Sequence, residues 1–152
     1  AGGGVGRGGA ASSSSSPQSS RSSESRSKAS REQIALNKGL AAAERPGHVF
    51  DRVAGARADG VPLNSVNLAT ALHRVARTGT AGDYRRLRDN EEYVGLLHMA
   101  EEQLLDEGNE FCSREIGNIA WGVAKAQTEG SPRARAVFVA LERAVNRSGL
   151  AE

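Results

Sequence analysis

Apolar residues recur along this chain at the three-to-four-residue spacing of helices buried on one side, and they do so only after residue 30. Ile34, Leu36, Leu40 and Ala43 form the first stripe, Val49, Phe50 and Val53 the second, and Leu68, Ala71, Leu72 and Val75 the third. Val94, Leu97, Leu104 and Leu105 mark a fourth helix, Ile116, Ile119, Ala120 and Val123 a fifth, and Val137, Phe138, Leu141 and Val145 a sixth. Helix signals punctuate these stripes. Ser30 with Gln33 three positions on reads as a capping box, and Pro46 closes the first helix. The second covers about 47–57 and stops at Gly55 or Gly60. Asn64 or Ser65 opens the third, which runs to Arg77 and ends at Gly79. Residues 80–90 read as a connector or short helical turn, and the fourth helix spans about 91–107 before Gly108. Ser131-Pro132 opens the sixth helix and Gly149 ends it. Nothing reads as a strand. The pattern predicts an all-α chain of antiparallel pairs, one with two, three with four and five with six.

The third and fifth helices are one motif written twice. LNSVNLATALHRVAR from Leu63 to Arg77 and FCSREIGNIAWGVAK from Phe111 to Lys125 superpose at a shift of 48 positions. The shift pairs Ser65 with Ser113, Leu68 with Ile116, Val75 with Val123, Ala76 with Ala124 and Arg77 with Lys125. Self-similarity at such a spacing predicts an α-solenoid, in which each helical pair buries its apolar face only against its neighbours. Leu68, Leu72, Val75, Leu97, Ile116, Ile119, Val123, Phe138 and Leu141 are the expected core, with Trp121 at least half buried.

Composition divides the chain in two. Residues 1–30 hold twelve serines and six glycines with almost nothing apolar, so they are expected to be a disordered tail, followed by a helical-repeat domain over 31–152. The tail is basic and Ser-rich, as an organelle transit peptide is, although the amphipathic element of such peptides is missing; a Ser/Arg linker open to phosphorylation fits equally. GVGRGG, Gly4 to Gly9, matches a dinucleotide-binding spacing, but no strand precedes it and it reads as chance. The chain opens on Ala and stops at SGLAE directly after a helical pattern, which reads as a piece of a longer repeat protein or a processed product.

Charge and chemistry narrow the picture further. The tail carries four basic residues against one acidic, while the remainder holds sixteen basic and seventeen acidic residues. Nucleic-acid binding would therefore need a locally basic face. One cysteine, Cys112, excludes an internal disulfide framework, and no apolar stretch reaches membrane-spanning length. His48, His73 and His98 lie twenty-five apart, which is no metal-ligand spacing on a helix. The carboxylates Glu91-Glu92, Glu101-Glu102 and Asp106-Glu107 fit a solvated face. RRLR at 85–88 is a dense basic run that meets phosphate or is neutralised by Asp89, Glu91 and Glu92. The expectation is a non-enzymatic protein with no cofactor, no metal and no small-molecule substrate. A polar stripe is the more useful feature: Asn67, Thr70, Arg74 and Arg77 align with Glu115, Asn118, Gly122 and Lys125. Solenoids that read single-stranded RNA present such side chains repeatedly, and solvation alone also gives any amphipathic helix a polar face.

NLATALHRVAR and REIGNIAWGVAKAQ resemble the signature helix of octotricopeptide-type repeat proteins and of the related FAST kinase-like and RAP-domain proteins. Ile116, Asn118, Trp121, Ala124 and Lys125 match the family form L-A-N-x-x-W-A-x-A-K, and Leu68, Ala69, Ala71, Val75, Ala76 and Arg77 match it more loosely, with His73 in place of the aromatic. IALNKGL and the segment from Val49 to Arg77 also resemble the start of the repeat region in RAP-type proteins, so the resemblance covers about 33–148. It implies an α-solenoid that binds single-stranded RNA in a mitochondrion or plastid and acts in RNA stability, processing or translation. On that footing Arg74, Arg77 and Lys125 meet phosphates, Asn67, Thr70 and Asn118 reach base edges, and Glu115 lines the same surface. Two features depart from the family: no RAP module is recognisable, and Gly117 and Gly122 stand where alanine is expected, at up to about 1 kcal/mol each. The competing class is an armadillo- or HEAT-like scaffold for protein–protein interaction.

Overall fold

A computed structural model describes residues 28–127 and 130–149, so the expectation of a disordered tail lies almost wholly outside the described residues. Among these residues there are seven helices and no strand: α1 (Arg31–Ala41), α2 (Pro46–Ala58), α3 (Ser65–Thr78), α4 (Ala81–Leu87), α5 (Glu91–Leu105), α6 (Ser113–Ala126) and α7 (Pro132–Ser148). The chain is all-α.

Local chemistry explains most of the boundaries. Ser30 Oγ accepts from the Gln33 backbone N–H at 3.0 Å while Gln33 Oε1 accepts from the Ser30 N–H at 3.0 Å, closing the capping box that starts α1. Pro46 begins α2 after an extended Arg45, since its fixed φ and missing N–H suit a first turn. Residues 80–90 hold a true helix, because Thr80 and Asp83 form a capping box around α4. The Tyr84 hydroxyl donates to the Ala76 carbonyl, tying α4 to the end of α3. Helix α5 ends at Leu105, short of the expected 107, where Asp106 turns extended and its Oδ1 accepts from the Gly108 N–H at 2.9 Å. Helix α7 stops at Gly149 in a left-handed conformation, φ 79°.

The helices pack in two rows: α1 on α3, α3 on α6 and α5 on α7 pack more extensively than the expected pairs do, whereas α2 touches α5 only slightly. Helices α1, α3 and α6 form one row, α2, α5 and α7 the other, with α4 as an inserted link. Within the first row the N-terminal ends lie together: Gln33 Nε2 donates to the Pro62 carbonyl at 2.9 Å, and Gln103 Nε2, near the end of α5, donates to the Leu63 carbonyl at 2.8 Å. Helices α3 and α5 therefore run antiparallel, and α1 and α3 run parallel. Across the second row, Arg57 forms a bidentate pair with Glu92, Arg133 reaches Glu101 at 3.0 Å, and Arg147 Nη2 donates to the Leu104 carbonyl at 2.8 Å.

The core follows the repeated stripes. Leu68, Leu72, Val75, Leu97, Ile119, Val123 and Leu141 are buried, as expected from their spacing. Phe138 departs from expectation at 37% exposed, and Ile34 and Leu105 are also exposed. Ile116 is only partly buried. Phe138 sits beyond the stripe Ala134, Val137, Leu141 and Ala144 that α7 actually buries, so its place in the apolar count misjudged the helix phase.

Gly122 decides the closest contact. A Cβ at Gly122 would stand 2.7 Å from the Leu72 carbonyl oxygen and 2.9 Å from its carbon, so α6 and α3 meet main chain against main chain. Gly122 is thus no loose substitute for alanine. Gly117, by contrast, has open space where its side chain would be. The two Gly→Ala changes should therefore have opposite signs in urea unfolding at constant m. Gly117→Ala is expected to stabilise by up to about 1 kcal/mol, and Gly122→Ala to destabilise by about 1–3 kcal/mol.

Candidate nucleic-acid interface

Burial of α3 against α1, α6 and the second row leaves one side free. Val66, Thr70, His73 and Arg77 occupy it at intervals of four, three and four residues, all partly or fully exposed. The 48-residue register places Arg114, Asn118, Trp121 and Lys125 on the same side of α6. The two stripes touch: the His73 and Trp121 rings lie 4.9 Å apart between centroids, tilted by 38°. No carboxylate occurs among these eight residues. Arg77, Arg114 and Lys125 make no ion pair among the described residues.

Four of the residues expected on an RNA surface lie on this face: Thr70, Arg77, Asn118 and Lys125. Asn67, Glu115 and Arg74 are held elsewhere. Asn67 is 1% exposed; its Oδ1 accepts from the Asn64 N–H at 3.0 Å, and its Nδ2 donates to the Gln33 carbonyl at 3.1 Å and to Asn37 Oδ1 at 3.2 Å. Glu115, 6% exposed, accepts from the Cys112 N–H at 3.0 Å through Oε1. Both occupy the third helical position, where a polar side chain turns back on the N-cap. Arg74 donates through Nη2 to the Ala43 carbonyl just past the end of α1, and its Nε is buried without a partner.

Sequence reading missed Val66, His73, Arg114 and Trp121 as members of the face. The signal was present. Asn64 and Cys112 stand three residues before Asn67 and Glu115, the spacing of a capping box, and removing those two from the polar count rotates the free stripe onto His73 and Trp121.

Burial, and then the neighbouring guanidinium groups of Arg77 and Arg74, push the His73 imidazole below its ordinary 6.5, so the ring is neutral at pH 7. Two of the other candidate groups pair with neighbouring carboxylates. His98 Nε2 lies 3.2 Å from Glu102, Arg86 pairs with Asp83 at 3.2 Å, and no group of three or more His, Cys, Asp or Glu able to hold a metal occurs among the described residues. No described helix is long and apolar enough to cross a membrane. Comparison with family models, curated proteins and solved structures found no match.

Two measurements test these placements. Asn67→Ala, which leaves the Asn64 N–H without its side-chain acceptor and removes the ties to the Gln33 carbonyl and Asn37, should lower stability by about 1–3 kcal/mol in denaturant unfolding. An NMR titration should show the His73 ring protons moving with a midpoint below 6.5. Because the native pKa is the depressed one, the associated stability is intact above 6.5 and lost as pH falls below it towards the native value. A midpoint at or above 6.5 would contradict the placement.

Proposed function

We propose that this chain belongs to an α-solenoid that binds single-stranded RNA along the free side of α3 and α6, with a role in organellar RNA stability, processing or translation. One observation carries the reading. Eight positions on that side hold three cations without ion pairs among the described residues, two rings in tilted contact and no carboxylate, in a chain whose residues after the tail are close to charge balance. Arg77, Arg114 and Lys125 meet phosphates, and Thr70 and Asn118 offer hydrogen bonds to base edges. The two-row packing and the 48-residue register between α3 and α6 support the solenoid, and the resemblance of both helices to the octotricopeptide and RAP-type signature supports the RNA class. Catalytic groups have no part in it.

A protein-binding scaffold of armadillo or HEAT type is favoured by a different observation. Phe138 and Val139 stand 37% and 50% exposed on α7, in the row away from the cations.

Fluorescence anisotropy of labelled single-stranded RNA separates the two. At low salt the wild type should bind, with a steep loss of affinity as salt rises. Arg77→Gln, Arg114→Gln and Lys125→Gln together should weaken binding and flatten the slope of log K against log salt by about 2, at about 0.7 per lost phosphate contact. No binding at low salt, or an unchanged slope in the triple variant, removes the RNA face and leaves the scaffold.

A further inference from the structure

We infer that Trp121 is a stacking platform for one unpaired nucleobase, backed by His73 and flanked by Lys125 and Arg77. The inference rests on the RNA reading above and adds a site to it.

Three observations point to a base. Trp121 remains 41% exposed on a helix whose Ile119 and Val123 are fully buried and whose Ile116 is partly buried. One side of the indole is engaged by the His73 ring at 4.9 Å, which fixes its orientation and leaves another part of it to solvent. The helix also leaves the surroundings of the ring clear. One turn before it, Gly117 has no atom within 4 Å of a Cβ position, and Ala124 one turn after it carries only a methyl group. A flat, oriented and uncrowded aromatic suits a planar partner better than an irregular apolar side chain.

Charge supplies the rest. Lys125 follows Trp121 by one helical turn, Arg77 follows His73 by one turn, and neither is paired among the described residues. A base resting on the ring would thus have a cation on each helix for its flanking phosphates. Stacking of this kind tolerates any base, because every base has a π-face, and the cations follow the backbone. The ligand class is single-stranded RNA with unpaired bases, held here through one base and its neighbouring phosphates. At pH 7 the neutral His73 backs the ring without adding charge.

Trp121 is the only tryptophan in the chain, so emission excited beyond the absorption of Tyr84 and Tyr93 reports this site alone. The experiment titrates oligouridylate and oligoadenylate into the full chain, following tryptophan emission and the anisotropy of an end-labelled strand in parallel. Quenching should follow the same binding curve as the anisotropy, whereas a strand of abasic sugar-phosphate should bind more weakly and leave the emission unchanged. Trp121→Ala should weaken binding about ten- to a hundredfold with an unaltered salt slope, and Trp121→Phe should keep most of the affinity. Circular dichroism checks that both variants are folded. RNA binding with unchanged emission, or equal affinity in Trp121→Ala, overturns the platform while the cationic RNA face stands. No anisotropy change at low salt overturns both.

Discussion

Helices α3 and α6 meet at Gly122 with no side chain between them, where a Cβ would stand 2.7 Å from the Leu72 carbonyl oxygen. That contact fixes how far apart the two free stripes lie. Only at such an approach do His73 and Trp121, equivalent residues of the two copies, reach stacking distance. The position equivalent to Gly122 in α3 is Arg74, and the result there differs. Its guanidinium extends to the Ala43 carbonyl at the end of α1, so α1 and α3 are joined by a long side chain and by their capping groups. One site in the repeat thus produces an intimate crossing with glycine and a polar tether with arginine, and the less extensive packing of α1 on α3 follows.

The polar residues divide into ties and surface, and burial is what separates them. A buried amide or carboxylate without partners is costly, so Asn67 and Glu115 are satisfied by backbone groups at the helix starts. Gln33, Gln103 and Arg147 likewise donate to carbonyls of neighbouring elements. These bonds align the N-terminal ends of the first row and hold the second row in step. Arg77, Arg114 and Lys125 make no such tie among the described residues.

The all-helical class, most helix starts and most of the core were legible in the sequence because local rules govern them: capping spacing at Ser30 and Asn64, proline at Pro132, glycine at Gly149 and apolar periodicity in α3 and α6. Helix α4 reads there only as a connector or short turn. Less legible were features set by relations between helices. The Gly122 crossing depends on what lies opposite it, and helix propensity alone makes that glycine look like a defect. Asn67 and Glu115 look like surface on a helical wheel until their capping partners are placed. Phe138 looks like core until α7 takes up its angle against α5. Half of the candidate face was therefore legible from the polar stripe, while His73 and Trp121 needed the geometry that joins the two helices.

The free side of α3 and α6 combines an aromatic pair in contact with exposed cations, a combination suited to a flexible polyanion carrying flat groups. The measurement that tests it most directly is backbone amide chemical-shift mapping of the isotopically labelled protein with and without single-stranded RNA. Perturbations concentrated at Val66, Thr70, His73, Arg77, Arg114, Asn118, Trp121 and Lys125, with the outer side of α7 unmoved, are the expected result. Perturbations confined to the second row or to residues 1–30, with these eight amides unchanged, would contradict it.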